Sequence, residues 1–313
     1  MKKWSICSIA VILIALMLNK ATAQSITLLK TTYLENYPSA SGIEFHNGKL
    51  FIMGDDATHL LVLNAEHQPI DSVSIFPYNG KRIHYTIKPD LESLTISSYK
   101  GNDYLVATPS FSAEKRNTLY IFPIESIKAF KTFVFSTPIP HLKCIGIQEP
   151  NLEGAAIVKK SVIVSNRANL SQPVNYLVQI PLKKRSLKKH NHWKKSAISL
   201  PASDSTIGIS GLEYWPDTDL LLFTASTEAT SSANADGAIG QSYLGYFRNY
   251  AKQIGNASIT PDLLVNLSQT LKIGNQKVEG ICVESYSNNA MILHFVTDND
   301  DGQSILYKAQ LSF

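Results

Sequence analysis

The chain has 313 residues, of which 44% are hydrophobic, 9% aromatic and 17% charged, with a formal net charge of +4. This balance is typical of a globular protein and excludes a disordered chain or a strongly basic one. Removing Lys2, Lys3 and Lys20 leaves +1 (4 − 3), so we expect no nucleic-acid or membrane-surface partner.

The first 23 residues have the order of a secretory signal peptide. Lys2 and Lys3 precede an uncharged apolar run over residues 4–18, and Ala21-Thr22-Ala23 gives the small-x-small pattern of a cleavage site. The apolar run is shorter than the roughly 20 residues that span a bilayer. We therefore expect cleavage after Ala23, no membrane anchor afterwards, and a single domain over residues 24–313 that is periplasmic or extracellular.

One short element recurs five times in that domain: a Glu or Ser, a small residue, then an apolar residue. The copies are Ser41-Gly42-Ile43, Glu92-Ser93-Leu94, Glu153-Gly154-Ala155, Ser210-Gly211-Leu212 and Glu279-Gly280-Ile281. An apolar strand, a loop and a further strand follow each copy, and these runs are rich in β-branched and aromatic residues. Convincing amphipathic helices are scarce, so the sequence predicts an all-β protein.

The middle residues of the five copies, at 42, 93, 154, 211 and 280, are 51, 61, 57 and 69 residues apart. Four short strands in a period of this size are typical of a β-propeller blade. We predict five blades, with six as the alternative. Fourth strands fit residues 72–76, 132–136 and 263–267. The last copy leaves room for only three strands, so the segment from Ile26 to Leu34 should complete that blade and close the ring.

The residues that open the five repeats should surround one mouth of the central channel. They are Ser41, Glu92, Glu153, Ser210 and Glu279, and the ends of the second strands add Asp55, Asp56, Asn166, Arg167, Glu228 and Asp298. We expect a small-molecule ligand or a glycan to bind at this acidic mouth. The predicted ligand-binding residues are Ser41, Glu92, Ser210, Arg167, Asp55, Asp56 and Glu228.

Three converging glutamates repel one another unless they are protonated, paired or bound to metal. Arg167 is the only nearby cation that the repeat pattern identifies. A hard cation such as Ca²⁺, which takes carboxylate and amide oxygens, would neutralise the remaining charge. Two further glutamates, Glu44 and Glu213, lie within the first strands, where we expect a structural pairing rather than catalysis.

The sequence lacks the motifs of several common enzyme classes. It has no Gly-x-Ser-x-Gly nucleophile elbow, phosphate-binding glycine loop or paired-cysteine zinc motif, which weighs against a serine hydrolase, an NTPase and a zinc enzyme. Cys144 and Cys282 could form a disulfide in an exported protein, although a buried free thiol at Cys282 is at least as compatible with its apolar strand.

The repeated Glu-Gly-apolar strand start, with Asn166 and Asp298 at later strand ends, resembles secreted calcium-dependent propellers. These are the gluconolactonase/regucalcin group, the phytase-like esterase domains and the SdiA-regulated family. The resemblance to the gluconolactonase-like group implies a divalent metal held by Glu153 or Glu279 with Asn166 and Asp298. The chain departs from that group in having three strand-start glutamates and five predicted blades, so the resemblance does not select one glutamate.

These observations predict an exported propeller that binds a small ligand, with Ca²⁺ or another divalent cation, at the acidic mouth. Hydrolysis of an ester, lactone or phosphoester is the reaction class that such a site could perform. The alternative is a non-catalytic propeller that binds a protein or glycan through its long loops at residues 111–117 and 228–241, because the fold alone does not select a function.

Overall fold

Five sheets surround a central channel in the computed structural model, which describes residues 24–135, 138–183, 192–201, 206–229 and 237–313. The fold is a five-bladed β-propeller, so the prediction of five blades rather than six is confirmed. The predicted signal peptide lies outside the described residues. Among the described residues, no helix is long and apolar enough to cross a membrane.

Each blade begins at the channel with the strand that carries one repeat. Blade 1 contains β2 (Ala40–His46), β3 (Lys49–Gly54), β4 (His59–Asn64) and β5 (Pro69–Ser74). Blade 2 contains β6 (Leu91–Tyr99), β7 (Asn102–Pro109), β8 (Thr118–Pro123) and β9 (Lys131–Val134). Blade 3 contains β10 (Leu152–Val158), β11 (Ser161–Asn166), β12 (Tyr176–Pro181) and β13 (Lys194–Ile198), with the short β17 (Ser258–Ile259) parallel to β13.

The last two blades follow the same order from the channel outward. Blade 4 contains β14 (Ile207–Trp215), β15 (Leu220–Glu228), β16 (Ile239–Arg248) and β18 (Leu263–Asn266). Blade 5 contains β19 (Val278–Ser287), β20 (Ala290–Thr297), β21 (Ser304–Ser312) and β1 (Ser25–Leu34). Short helices lie between strands: α1 (Pro138–Cys144), α2 (Tyr250–Gln253), α3 (Leu267–Thr270) and the 3-10 turns Ile124–Ala129 and Pro216–Thr218.

The N-terminal strand closes the ring as the sequence predicts. β1 pairs antiparallel with β21, with Ser25 opposite Ser312 and Leu34 opposite Ser304. Ile26 and Leu34 are buried, while Leu29 and Tyr33 are exposed, as expected for a strand with one face against the core. The first and last strands of the domain therefore share one sheet.

The hydrophobic core is divided among the interfaces between neighbouring blades. Phe51, Met53 and Leu105, for example, pack between blades 1 and 2, whereas Phe223 and Phe247 pack between blades 3 and 4. Cys282 is buried where blade 5 meets blade 1. Cys144 is exposed at the end of α1, and neither cysteine forms a disulfide.

Candidate functional site

The Glu or Ser that opens each repeat is an extra residue in its strand. In blade 3, Leu152 pairs with Asn166 and Gly154 with Ser165, so Glu153 is skipped in the register. Similar register shifts occur at the repeat in all five first strands: β2, β6, β10, β14 and β19. A β-bulge re-aims a side chain without ending the strand. The repeat is thus a bulge that presents one Glu or Ser from every blade to the channel.

The glycine after the bulge is required by close packing of neighbouring blades. A Cβ atom added to Gly154 would lie 2.3 Å from the carbonyl oxygen of Ser210, and one added to Gly211 would lie 2.3 Å from that of Glu279. No side chain fits at such distances, because the obstruction is backbone. The close contact between bulges of neighbouring blades explains why a small residue recurs in the repeat.

Hydroxyl groups of the second strands lock adjacent bulges together. Ser165 accepts from the N–H of Gly154 (2.8 Å) and donates to the carbonyl of Ser210 (2.9 Å) in the next blade. Thr224 makes the equivalent pair of bonds, to the N–H of Gly211 (2.9 Å) and the carbonyl of Glu279 (2.5 Å). These bonds fix the bulges of blades 3, 4 and 5 relative to one another.

A charged cavity of about 810 Å³ lies at this mouth of the channel. Its acidic lining residues are Asp55, Asp56, Asp90, Glu92, Glu153, Glu228, Glu279, Asp298 and Asp300. Its basic lining residues are Arg82, Lys88, Lys115, Arg116, Arg167 and Lys277. Tyr78, His84 and Tyr85, from the segment between β5 and β6, form part of its rim. Nine acids face six strong bases, so the lining has an excess of negative charge.

The three strand-start glutamates meet at the floor of this cavity. One carboxylate oxygen each of Glu92, Glu153 and Glu279 lies within 4.8 Å of the other two. Glu153 and Glu279 are buried, and Glu92 is partly buried. Among the described residues, Glu92 makes no ion pair or hydrogen bond. The cluster thus contains one carboxylate whose charge is not directly compensated.

Arg167 connects three of the acidic side chains. Its guanidinium lies 2.9 Å from Glu228 and 3.7 Å from both Glu153 and Glu279. It also donates to the hydroxyls of Ser210 (2.7 Å) and Ser226 (2.9 Å). Arg167 is itself buried, so these contacts hold it rigidly in place.

Lys277 is a second base beside the cluster, which the repeat pattern does not identify. The ammonium of Lys277 lies 3.2 Å from Glu279, 3.6 Å from Glu228 and 3.5 Å from Asp300. A signal for it was present in the sequence, because Lys277 stands two residues before Glu279, as Asp90 stands before Glu92 and Asn151 before Glu153. The position two before each glutamate also faces the mouth.

A second group of acids shares Glu92 but already contains a cation. Asp55 and Asp90 offer oxygens within 4.8 Å of one from Glu92. Lys88 forms ion pairs with both Asp55 and Asp90, and Arg116 lies 2.9 Å from Asp90. These contacts satisfy most of the charge in this group. Arg167 and Lys277 approach Glu153 and Glu279 only to between 3.2 and 3.7 Å, so the Glu92, Glu153 and Glu279 cluster is less tightly paired and is the better candidate for a metal.

Burial raises the pKa values of several carboxyls at the mouth. Burial and the nearby carboxylates of Glu153 and Asp90 raise the pKa of Glu92 well above its ordinary value. Burial raises the pKa of Glu153 to about 7, although Arg167 opposes the shift. The pKa of Asp298 is also raised, by burial and then by Asp55 and Glu279. A bound cation would favour the ionised forms of these groups.

The structure separates the predicted site residues into two sets. Lining the cavity are Asp55, Asp56, Glu92, Glu153, Arg167, Glu228, Glu279 and Asp298. Three others are buried outside the lining. The hydroxyl of Ser41 donates to the carbonyl of Ser39, and that of Ser210 accepts from Arg167. The Asn166 carboxamide oxygen accepts from the N–H of Asn151 at 2.8 Å, so this amide stabilises the loop before β10.

Glu44 and Glu213 lie three residues beyond the strand-start positions of β2 and β14, away from the acidic cluster. Burial raises the pKa of Glu44 to about 8, and burial together with Glu44 raises that of Glu213. Glu44 accepts a hydrogen bond from the N–H of Phe45 (3.0 Å). The effect of Glu44 on Glu213 is charge repulsion, and within the described part of the chain neither carboxyl forms an ion pair with a basic residue.

Comparison with protein families places the chain among proteins of unknown function. A family model described as "Family of unknown function (DUF6929)" matches residues 36–311. The chain belongs to DUF6929. The match covers all five repeats, so the ring of bulges falls within the DUF6929 region. No curated protein sequence matches the chain significantly.

Solved structures similar to this DUF6929 protein share its fold at low sequence identity. The glutaminyl cyclase of Myxococcus xanthus has a TM-score of 0.52 and 13% identity, with 92% of this chain and 97% of that chain covered. The arabinanase Arb43A of Bacillus subtilis has a TM-score of 0.46 and 11% identity, with 90% and 99% covered. The likeness to the glutaminyl cyclase supports the β-propeller fold. The part of the predicted resemblance that concerns fold is therefore confirmed.

Proposed function

We propose that this protein binds a divalent cation through Glu92, Glu153 and Glu279 and uses it to hold a small polar ligand in the mouth cavity. The observation that carries the proposal is the uncompensated carboxylate of Glu92 beside two other carboxylates from different blades. Carboxylate oxygens suit hard cations, and Ca²⁺ accepts the irregular geometry that three separate strands provide. The resemblance to calcium-dependent propellers supports the same choice.

The remaining lining favours a ligand with several oxygen atoms. Arg82, which pairs with Asp56 at 2.6 Å, and Lys115, which donates to the carbonyl of Thr86, are exposed on the cavity wall, where their remaining N–H groups can bind an anionic or strongly polar group. The cavity of about 810 Å³ is large enough for a small molecule or a short glycan. The cation on the floor and the bases on the wall would then bind opposite ends of the ligand.

Hydrolysis of an ester, lactone or phosphoester is the reaction that we propose for this site. When bound, a divalent cation polarises such a substrate and increases the acidity of water. A carboxylate of the lining that is not among the proposed ligands, such as Asp298, would accept the proton from water. The alternative is non-catalytic binding of a protein or glycan at the same mouth. A screen of ester, lactone and phosphoester substrates distinguishes these functions.

The first test is a titration of metal-free protein with Ca²⁺, followed by thermal unfolding. If Ca²⁺ binds only the folded state, a concentration 100-fold above Kd should add about 2.7 kcal/mol to the free energy of unfolding. Glu92→Gln should abolish this gain, because it removes the ionisable carboxylate at a nearly unchanged volume. The metal-free variant should be at least as stable as the metal-free wild type, since the amide is neutral without the cost of keeping a buried carboxyl protonated.

Glu125→Gln is the matched control, because Glu125 is an exposed glutamate outside the cavity. It should leave the Ca²⁺ response unchanged. Absence of stabilisation of the wild type by Ca²⁺, Mg²⁺ and Mn²⁺ would refute the cation site and favour the non-catalytic alternative.

We also propose that residues 1–23 direct export and are removed. An oxidising, calcium-containing exterior is compatible with the proposed site, and Cys282 is protected by burial. Mass spectrometry of protein recovered from the periplasm or medium should show Gln24 at the N-terminus. An intact Met1 in membrane fractions would contradict both export and the absence of an anchor.

A further inference from the structure

A second cavity, far more apolar than the first, lies between blades 2 and 3. Its volume is about 510 Å³. Most of the lining residues are valine, leucine, isoleucine or phenylalanine, among them Phe111, Phe133, Val134, Val162 and Leu182. Among the residues that the structure describes, the polar lining is limited to the hydroxyl residues Thr95, Ser97 and Thr108, without a charged side chain. Water bound there would find few hydrogen-bond partners.

Side chains fill one part of the interface between blades 2 and 3, and the cavity occupies another part. Phe111, Leu142, Ile147 and Trp193 are buried and belong to the core between blades 2 and 3. Beside them, the facing sheets remain separated and form the cavity. Because protein interiors are normally close-packed, an apolar space of this size between two sheets indicates a site that accepts an apolar group.

The cavity opens to solvent through an apolar rim. Phe133 is 54% exposed, Val134 62% and Leu182 44%. Phe133 and Val134 end blade 2, whereas Leu182 follows the third strand of blade 3. Exposed apolar side chains that continue into an apolar cavity mark a binding site more strongly than scattered ones do.

The rim beside Leu182 is positively charged. The N–H of Leu182 donates to the carbonyl of Lys160 at 2.8 Å, which places the Lys159-Lys160 turn next to it. Lys159, Lys160 and Lys183 are all exposed. In the sequence, no acidic residue occurs between Glu153 and Asp204, so no carboxylate in this segment neutralises these lysines. An apolar ligand with a negative end would match both the cavity and its rim.

We propose that this cavity binds a fatty acid, with the alkyl chain between blades 2 and 3 and the carboxylate near Lys160 and Lys183. The alkyl chain would contact the facing valines and phenylalanines, and its burial would drive binding. The lysines would select a negative head group over a positive one. This site is separate from the acidic mouth and does not depend on a divalent cation.

The test is calorimetric titration of the full domain with octanoate, decanoate and dodecanoate, each below its micelle concentration. Affinity should rise about three- to fourfold for each added methylene group that the cavity buries. Dodecylamine, which has the same chain and the opposite charge, should bind more weakly than dodecanoate. Absence of dodecanoate binding, or equal binding of the amine, would overturn the proposal.

Val162→Trp should block the cavity, because Val162 is a partly buried lining residue beside open space. The expected result is at least a tenfold loss of dodecanoate affinity. Ile70→Trp is the matched control, since Ile70 is a 50% exposed apolar residue of β5 outside the cavity. Unchanged binding by a folded Val162→Trp variant would exclude this cavity as the site.

A second variant keeps the test decisive if Val162→Trp does not fold. The double change Lys160→Glu and Lys183→Glu affects only exposed positions, and it should weaken dodecanoate binding and remove the preference over dodecylamine. Lys272→Glu, an exposed lysine on the segment before blade 5, should change neither. A wild-type dimer that Val162→Trp converts to a monomer would show that a second copy covers the cavity, and would also overturn the proposal.

Discussion

At the scale of single residues, the mouth brings carboxylates of the repeats together with two lysines, Lys88 and Lys277, from the segments between blades. Glu92, Glu153 and Glu279 were predictable because equivalent strand starts meet at one end of a propeller channel. Lys88 was not, because it lies in the long segment between β5 and β6, which has no periodic pattern. Lys277 carried a usable signal, because it stands two residues before Glu279 as Asp90 stands before Glu92.

The small residue of the repeat gives a prediction about packing. Gly154→Ala should lower the free energy of unfolding by about 3 kcal/mol, because its Cβ would lie 2.3 Å from a neighbouring backbone oxygen. Ser93→Ala is the matched control at the equivalent position of blade 2, where a Cβ is already present. It should cost only about 1 kcal/mol, for the lost hydrogen bond to Thr108.

Urea denaturation of both variants measures the difference. Equal stability of Gly154→Ala and the wild type would show that Gly154 lies farther from the neighbouring blade than the structure describes. Retention of the Ca²⁺ response in Ser93→Ala would show that the control leaves the acidic cluster intact.

At the scale of elements, inner strands were easier to predict than outer ones. β20 is a nearly continuous apolar run because both of its faces are largely buried. β13, with Lys194 and Lys195 at its start, was missed because an outer strand buries little and its sequence is polar. The predicted fourth strand at residues 72–76 begins instead at Pro69, within a stretch of exposed residues.

The pairing of β1 with β21 predicts what happens when β1 is removed. Deleting residues 24–34 should expose the edge of β21 along nine paired positions and uncover the apolar residues that Ile26 contacts. The shortened protein should therefore aggregate or melt at a lower temperature. A synthetic peptide of residues 24–34 should restore solubility by pairing with β21.

The control peptide carries Ile26→Asp and Leu34→Asp, which place charges on the buried face of the strand and should prevent rescue. Light scattering and thermal unfolding provide the measurements. A deletion variant that is as soluble and as stable as the full domain would contradict a stabilising role for the closure.

At the scale of the whole molecule, closing five blades into a ring concentrates ionisable groups in buried positions. The raised pKa values are about 8 for Glu44 and about 7 for Asp55 and Glu153, in each case chiefly because of burial. Where blade 5 meets blade 1, burial lowers the pKa of His294, and burial followed by His294 lowers that of His67 to about 3. As pH rises, the acids with raised pKa values therefore lower the stability, whereas the histidines with lowered pKa values increase it.

The direction of each change with pH follows from the number of protons that the group binds in the folded and in the unfolded protein. A carboxyl with a raised pKa keeps its proton in the folded state, so its contribution to stability is present below about pH 4 and is lost as pH rises through 7 to 8. A histidine with a lowered pKa stays neutral when folded, so its contribution is present above about pH 6.5 and is lost as pH falls. The two effects oppose each other below pH 6.5, and only the carboxyls act above it.

We therefore expect the melting temperature of metal-free protein to fall as pH rises from about 6.5 to about 8.5. Each carboxyl that loses its proton in this range contributes up to about 1.4 kcal/mol per pH unit. Saturating Ca²⁺ should reduce the fall, because it favours ionised Glu92 and Glu153. Glu44→Gln should reduce the fall equally with and without Ca²⁺, because Glu44 is remote from the cluster. A melting temperature that rises over this range would show that these carboxyls are already ionised in the folded protein.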